Sequence, residues 1–254
     1  MNTTRNFFNP TNNMLVMTGV ATVLAGGILA ATQPASAVSI GTPPDDEKSL
    51  QEILDDITIE GNIDAETDQI GSELFTNTIL GSSAYLTFEY ADFAPDNEFG
   101  IYEAGDSSNK IALFDGVDDQ GTLSNFTFFA NGNVNVDGTT YSDFGNKFGF
   151  YLENDNNTFF SQDSLNPEGY AQSVIYQGSD DLRLDLPGGI GEGDFTETDL
   201  IVAFEDMWRG DGSDSDFNDM VVTVSDVKAV PEPSAMAALG VVGGLMAFAR
   251  RRRQ

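Results

Sequence analysis

The sequence contains no cysteine and no histidine. Without cysteine, an exported domain cannot form disulfides and must take its stability from a packed core or from bound ions. Without histidine, the chain lacks the commonest general base, the commonest zinc ligand and the base of Ser-His and Cys-His nucleophiles. These two absences remove the usual zinc ligands and every Ser-His or Cys-His nucleophile.

Basic residues are also scarce. The chain has 11 lysines and arginines against 41 aspartates and glutamates, a formal net charge of −30 at pH 7. Such a surface repels nucleic acid and anionic membranes, so we expect no nucleic-acid partner. Because carboxylates are hard oxygen ligands, divalent cations are the partners that this composition favours, Ca²⁺ above all. The alternative is a solvated acidic surface that needs no ion.

The N-terminal residues have the pattern of a secretory signal peptide. Arg5 supplies the positive charge, Met14 to Ala31 form an apolar segment, and Ala35 and Ala37 frame an A-x-A cleavage site. We therefore predict a cleavable signal peptide over residues 1–37 and a mature chain that begins near Val38. The alternative is a retained membrane helix.

The C-terminal residues 230–254 form a second targeting segment. Pro231, Glu232 and Pro233 precede an apolar stretch, Ala235 to Ala249, and the run ends in four arginines, 250–253. This order resembles a PEP-CTERM sorting signal. The resemblance implies transient anchoring in the inner membrane by the hydrophobic helix, cleavage near Pro-Glu-Pro by an exosortase, and release to the outer surface or extracellular matrix. The alternative is a proline-rich linker before a plain membrane anchor.

Between these ends the pattern indicates a short helical segment, 38–60, and one β domain, 61–229. Leu50, Ile53, Leu54 and Ile57 recur at helical spacing over Asp45 to Asp56, with Asp45 or Asp46 as the expected cap. Short apolar runs separated by Gly, Asn and Asp then predict about nine strands. They span 84–90, 100–103, 110–114, 123–130, 134–136, 147–152, 170–176, 199–204 and 220–227.

The predicted fold class is therefore all-β, a single β-sandwich or jelly-roll-like domain preceded by a short helix. The 19 phenylalanines fall mostly on the predicted strands. We expect them to form the core, because a disulfide-free β domain needs large apolar side chains. A surface platform for stacking sugars is the alternative.

One acidic stretch, between the last two predicted strands, stands out. It carries six oxygen-bearing side chains around a Gly- and Asp-rich loop: Glu205, Asp206, Asp214, Asp216, Asn218 and Asp219. If the two strands are neighbours, the loop gathers these side chains at one end of a sheet, where they provide most of the six to eight oxygens that Ca²⁺ takes. In extended backbone Asp219 points away from Asp214 and Asp216, so one ion requires a bend. The alternative is a structural corner in which Asp and Asn cap turns.

The stretch is not an EF-hand, because Asp219 stands where the sharp-turn glycine belongs and Ser225 where the bidentate glutamate belongs. It resembles instead the C-terminal signature of the DUF4114 family: Glu-Asp, a short loop, Asp-x-Asp-(Tyr/Phe)-Asn-Asp and a hydrophobic strand. The resemblance implies an exported bacterial protein without an established enzyme activity. It also implies metal binding by the six residues above. Trp208 is expected to pack over the loop, and Arg209 to neutralise a nearby acid.

The sequence thus favours a non-catalytic protein of the cell surface or extracellular matrix, exported by the secretion machinery and processed by an exosortase, with surface polysaccharide as a further partner. One alternative is a carbohydrate-binding module or adhesin. Another is a glycosidase built on two carboxylates, which needs no histidine. With so many acids, two at the right separation are expected by chance and do not argue for it.

Overall fold

A computed structural model describes residues 37–45, 47–71, 73–78, 81–89, 94–210 and 212–230. Ala35 of the predicted cleavage site, the sorting motif Pro231, Glu232 and Pro233, and the apolar tail lie outside the described residues. Within these ranges, no helix has the length and apolar character needed to cross a bilayer.

The one α-helix of the described ranges, α1, spans Leu50–Ile57 and buries the four apolar residues predicted from their spacing. Its N-cap is Ser49, whose side chain accepts from the Glu52 amide while the Glu52 carboxylate accepts from the Ser49 amide at 2.9 Å. The predicted start at Asp45 and the predicted cap at Asp45 or Asp46 are therefore wrong. This reciprocal capping box satisfies two amides at once, which a single aspartate cap does not.

Sixteen strands are found in the described residues. In chain order they are β1 Thr58–Glu60, β2 Phe75–Asn77, β3 Ser82–Glu89, β4 Glu98–Glu103, β5 Asp106–Phe114, β6 Leu123–Phe128, β7 Val134–Val136, β8 Thr139–Tyr141, β9 Phe148–Glu153, β10 Thr158–Phe160, β11 Ser173–Gln177, β12 Leu182–Leu186, β13 Gly191–Phe195, β14 Leu200–Phe204, β15 Met220–Ser225 and β16 Val227–Ala229. Three short 3₁₀ turns accompany them, at Ala94–Asp96, Asp163–Leu165 and Pro167–Gly169.

These strands form three antiparallel sheets. The largest has seven strands in the order β11-β14-β15-β3-β6-β7-β8. A six-stranded sheet runs β16-β2-β9-β4-β5, with β10 paired to β9, and a three-stranded sheet runs β1-β12-β13. The all-β fold with one short helix is thus confirmed.

The main core lies between the six- and seven-stranded sheets. Met220, Val222 and Val224 of β15 point into it, as their alternation predicts, together with Phe99 of β4 and Phe148 of β9. Most of the phenylalanines are buried in the core, which confirms their structural role. These two sheets are the sandwich that the strand pattern predicts.

A second core covers the other face of the seven-stranded sheet. Val221 of β15, Ile201 of β14, Leu184 of β12 and Leu54 of α1 pack there. The central strands β14 and β15 are therefore buried on both faces. Sequence patterning missed this third layer because β12 and β13 are short and flank a glycine-rich turn that gives no long apolar run.

Phe148 lies at the centre of the main core, fully buried, with the rings of Phe128 and Phe150 at centroid distances of 5.0 and 5.5 Å. We expect Phe148→Ala to lower the free energy of unfolding by about 3–5 kcal/mol, because it leaves a cavity that close-packed neighbours cannot fill. Urea unfolding followed by circular dichroism measures this loss. The matched control is Phe129→Ala, which truncates a ring that is 46% exposed and should change stability by only about 0.5 kcal/mol. Equal losses in the two variants would contradict the assignment of Phe148 to the core.

Candidate functional site

The acidic stretch forms the connection between β14 and β15. These strands are antiparallel neighbours, with Phe204 opposite Met220 at the end of the ladder. Glu205 directly follows β14 and Asp219 directly precedes β15, so the loop returns to the sheet end at which it leaves. The adjacency on which the sequence prediction depended is therefore present.

The loop contains the bend that a shared site requires. Ser215 and Phe217 have φ of 63° and 57°, in the left-handed region that non-glycine residues rarely adopt. The Phe217 ring is fully buried in the second core. Because these two residues reverse the local direction of the chain, the side chains on either side no longer alternate as they would in extended backbone.

Glu205 holds this bend in place. Its side chain is fully buried, one carboxylate oxygen accepts from the Phe217 amide at 2.7 Å, and the other accepts from the Ser213 hydroxyl. Burial raises its pKa, and these two hydrogen bonds partly offset that increase. Both oxygens are engaged by the protein, so Glu205 acts as a brace for the loop.

Three carboxylates outside this brace approach one another closely. We call Glu47, Asp214 and Asp216 the outer group, since one oxygen of each lies within 4.8 Å of the others. Two oxygens on opposite sides of a Ca²⁺ ion, each at roughly 2.4 Å, are separated by about that distance. Glu47, just before α1, has no place in the sequence motif and was missed by sequence reasoning.

Two buried oxygens at the outer group have unmet hydrogen-bonding capacity. Asp216 is 1% exposed and Asn218 is fully buried, yet Asp216 Oδ2 and Asn218 Oδ1 accept no hydrogen bond from the described part of the chain. Burial and the neighbouring charge of Asp214 raise the pKa of Asp216 to about 7. A buried acceptor without a partner is rare in native proteins and requires an explanation.

The N-terminal segment is tied to the loop next to these oxygens. The Gly41 amide donates to the Ser215 carbonyl at 2.7 Å, and Asn218 Nδ2 donates to the Lys48 carbonyl at 2.8 Å. Glu47 is thus held beside Asp214 and Asp216 by contacts on both sides of it. The outer group is thus completed by Glu47, which is distant in sequence from the loop.

Two of the predicted metal ligands, Asp206 and Asp219, lie outside the outer group. Asp219 Oδ2 accepts from the Asp206 amide at 2.8 Å, and Asp206 Oδ2 accepts from Asn97 Nδ2 at 3.2 Å. Burial and the charge of Asp206 raise the pKa of Asp219. Together with Glu89, whose pKa burial raises to about 7, these residues are called the inner group.

A single cavity of about 210 Å³ joins the two groups. Its wall contains Glu47 and Asp214 from the outer group, Asp206 and Asp219 from the inner group, and Glu205. Four of the six predicted residues therefore line one cavity, whereas Asp216 and Asn218 are not part of its wall. The five acids at this cavity offer carboxylate oxygens, which suit a hard cation such as Ca²⁺.

The aromatic and basic residues of the loop serve its packing. The indole of Trp208 lies against Gly210 of the loop, as expected, and also packs on the main core and on the Tyr170 ring at 5.7 Å. The Arg209 guanidinium lies 4.8 Å from the Phe217 ring centroid and donates to the Ala171 carbonyl. Its charge offsets part of the rise that burial causes in the pKa of Glu205, although no ion pair of Arg209 occurs within the described ranges.

Comparison with known proteins identifies the domain. The sequence profile of the family described as Domain of unknown function (DUF4114) matches residues 93–226. The chain belongs to the DUF4114 family. The matched region runs from just before β4 to just after β15 and includes the whole acidic loop, whereas Glu47 and Glu89 lie outside it. Neither the comparison with curated proteins nor the comparison with solved structures gave a match.

The profile of the PEP-CTERM protein-sorting motif matches residues 229–253. This match supports export, association with the cell envelope and processing by an exosortase. The DUF4114 description gives no activity, and the two matches together suggest a non-catalytic exported protein. The predicted recognition of both families from a few residues is confirmed.

The raised pKa of Asp216 predicts how the ion-free protein responds to pH. Its native pKa of about 7 lies above the ordinary 3.8, so the native state binds a proton more tightly than the unfolded chain does. Stability from this group is therefore present at low pH and lost as pH rises from about 4 to about 7. In a chelator, we expect Asp216→Asn to melt several degrees above the wild type at pH 8, with the gap closing towards pH 5. Differential scanning calorimetry at the two pH values measures the gap, and a constant gap would refute this role of Asp216.

Proposed function

We propose that this chain is a non-catalytic protein of the cell surface or extracellular matrix whose β domain is stabilised by Ca²⁺ at the outer group. Glu47, Asp214 and Asp216 would supply carboxylate ligands, and Asn218 Oδ1 a neutral one. The observation that carries the proposal is the convergence of three carboxylates, one of which, Asp216, has a buried oxygen without a hydrogen-bond partner in the described residues. Export, which the sorting motif supports, would bring the domain to the cell envelope, where it could take up Ca²⁺.

The charge of the domain supports this role. Three carboxylates within 4.8 Å repel one another, and this repulsion disfavours the folded state unless a proton or a cation reduces it. A divalent ion removes the repulsion and links the N-terminal segment to the loop at the sheet end. Because the protein has no cysteine, such a link serves where small exported domains commonly use disulfides.

Calcium fits this set better than magnesium or a transition metal. The ligands are oxygens on a bent loop and on a separate segment, with room for water in a cavity of about 210 Å³. Calcium accepts six to eight oxygens in flexible geometry, whereas Mg²⁺ requires a near-ideal octahedron and zinc prefers nitrogen or sulfur. The remaining coordination positions would be filled by water from the cavity.

The position of the last strand supports release of the domain by cleavage. β16 pairs with β2, and the Val230 amide donates to the Leu74 carbonyl at 2.8 Å. The matched sorting motif begins at Ala229, the last residue of β16 and two residues before Pro231. Cutting near Pro231 to Pro233 would remove the tail and leave all sixteen described strands in the domain.

Calcium should raise the melting temperature by binding the native state. At a free concentration about 100-fold above Kd the gain is about 2.7 kcal/mol, or roughly 5–10 °C for a domain of this size. We expect Glu47→Gln and Asp214→Asn each to lose most of this shift relative to chelator. The matched control is Asp185→Asn, an exposed acid on β12, which should keep it. If both ligand variants retain the full shift, the outer group does not hold the ion.

The sorting proposal predicts the mass of the exported protein. Mass spectrometry of the secreted form should show an N-terminus near Val38 and a C-terminus close to Pro231, Glu232 and Pro233, because both targeting segments are removed. Replacing Glu232 by Gln alters the motif and should leave the tail attached in the cell membrane fraction. A secreted protein that still carries its four terminal arginines would exclude this processing.

A further inference from the structure

Val38, the first residue of the mature chain that the sequence predicts, lies in the wall of a small cavity. This cavity has a volume of about 60 Å³ and lies between the stretch that precedes β2, the turn that follows β10, and the start of β11. Two acids, Glu73 and Asp163, line it, and no lysine or arginine of the described chain does. It shares no wall residue with the cavity at the acidic loop, so it is a separate place in the fold.

One side chain holds both polar groups of the Val38 backbone. The Val38 amide donates to Gln69 Oε1 at 2.8 Å, and the Val38 carbonyl accepts from Gln69 Nε2 at 2.8 Å. Gln69 is itself fixed, because its Nε2 also donates to the Ala65 carbonyl at 2.8 Å and its backbone pairs with Tyr176 of β11. The fold therefore positions the Val38 nitrogen through a residue that is distant in sequence.

Removal of the signal peptide changes the chemistry of this nitrogen. Ala37 is exposed and Val38 is half-buried, so the bond between them lies at the surface. Its hydrolysis by a peptidase of the export machinery consumes one water, leaves a carboxylate on Ala37 and leaves an α-amine on Val38. That amine has a pKa of about 7.7–8.0 when it is free in water, so at neutral pH it is largely an ammonium with three N–H donors. A single neutral N–H is thereby replaced by a positive charge.

We propose that this cavity binds the chain's own α-ammonium group, which forms when the signal peptide is removed before Val38. One N–H keeps its bond to Gln69 Oε1, and the two new donors are available to the polar groups of the wall, among them the carboxylates of Glu73 and Asp163. Capture of a terminal amine by fixed acceptors is a recurring mode of recognition. The proposal rests on the removal of the signal peptide that is proposed above.

Asp163 is the wall residue best suited to compensate the new charge. Its side chain is half-buried, and burial raises the pKa of its carboxyl group, an effect that the charge of Arg209 partly offsets. Glu73, by contrast, already accepts from the Asp163 amide at 3.3 Å. A carboxylate that burial withdraws from water is stabilised by a nearby cation, and a hydrogen bond between two charged groups is roughly twice as strong as a neutral one.

The segment that begins at this cavity leads to the outer group. Residues 38–45 run from the cavity to the acidic loop, and Glu47 follows them. On the way, the Gly41 amide donates to the Ser215 carbonyl at 2.7 Å, and a Cβ at Gly41 would overlap the Asp214 carbonyl oxygen. The segment is thus pressed against the loop. An ion pair at its first residue restricts the segment further and so helps to hold Glu47 in place.

Two forms of the protein that differ only in this charge test the proposal. The exported protein is purified, mass spectrometry identifies its first residue, and part of the sample is acetylated at the α-amine, which leaves an N–H but removes the charge. Both forms are melted in chelator, so that calcium at the outer group does not contribute. We expect the free amine to melt several degrees higher at about pH 6. The gap should close by about pH 10, because a site that holds the ammonium raises the pKa of the amine, and its stabilisation is lost as pH rises through that value.

Two variants and the mass measurement separate the outcomes. Asp163→Asn should remove most of the gap between the free and the acetylated form, whereas Asp185→Asn, which changes an exposed acid on β12, should keep it. A first residue other than Val38 overturns both the predicted cleavage and this site. If the first residue is Val38 and the two forms melt together at about pH 6, the ammonium site is overturned and the cleavage stands. A gap that stays constant up to about pH 10, or that Asp163→Asn leaves unchanged, contradicts the ion pair.

Discussion

The pairing of β14 with β15 is the contact on which the rest of the molecule depends. Both strands are buried on both faces, so neither can shift its register by one residue without moving apolar side chains between the two cores. This register brings Glu205 and Asp219 to the same end of the sheet. The position of every acid in the loop follows from two strands that are themselves entirely apolar or small.

The acidic side chains around these two strands greatly outnumber the basic ones. The chain carries 41 acids and 11 bases, and it withdraws several of the acids from water at one sheet end. Each of these acids then has one of three states. It accepts hydrogen bonds from the chain's own donors, as Glu205 does, or it is protonated, or it binds a cation. Which state prevails depends on pH and on the ions in the surrounding solution. The folded domain is thus coupled to its surroundings through a small set of carboxyl groups.

The sequence predicts those features that depend on residues close to one another along the chain. Residues 220–224 alternate between the two faces of a strand, and the dense run of acids from Asp214 to Asp219 indicates a loop. The end of the sheet could therefore be predicted. Glu47 and Asn97 could not, because each is one polar residue among many until the fold carries it to the loop. The sequence does not predict the cap at Ser49, because two aspartates upstream have side chains that are equally good caps. The reciprocal hydrogen bonds between Ser49 and Glu52 make Ser49 the N-cap.

The place of β16 in the six-stranded sheet has a mechanical meaning. This three-residue strand lies at the sheet edge, pairs with β2 alone and is the last described element before the tail. Any tension applied through the C-terminal end of the described domain enters through this strand and its few hydrogen bonds. The edge can peel away under load while β14 and β15, locked between two cores, keep their pairing. A pull on the C-terminal end therefore separates the short edge strand β16 first and leaves the pairing of β14 with β15 intact.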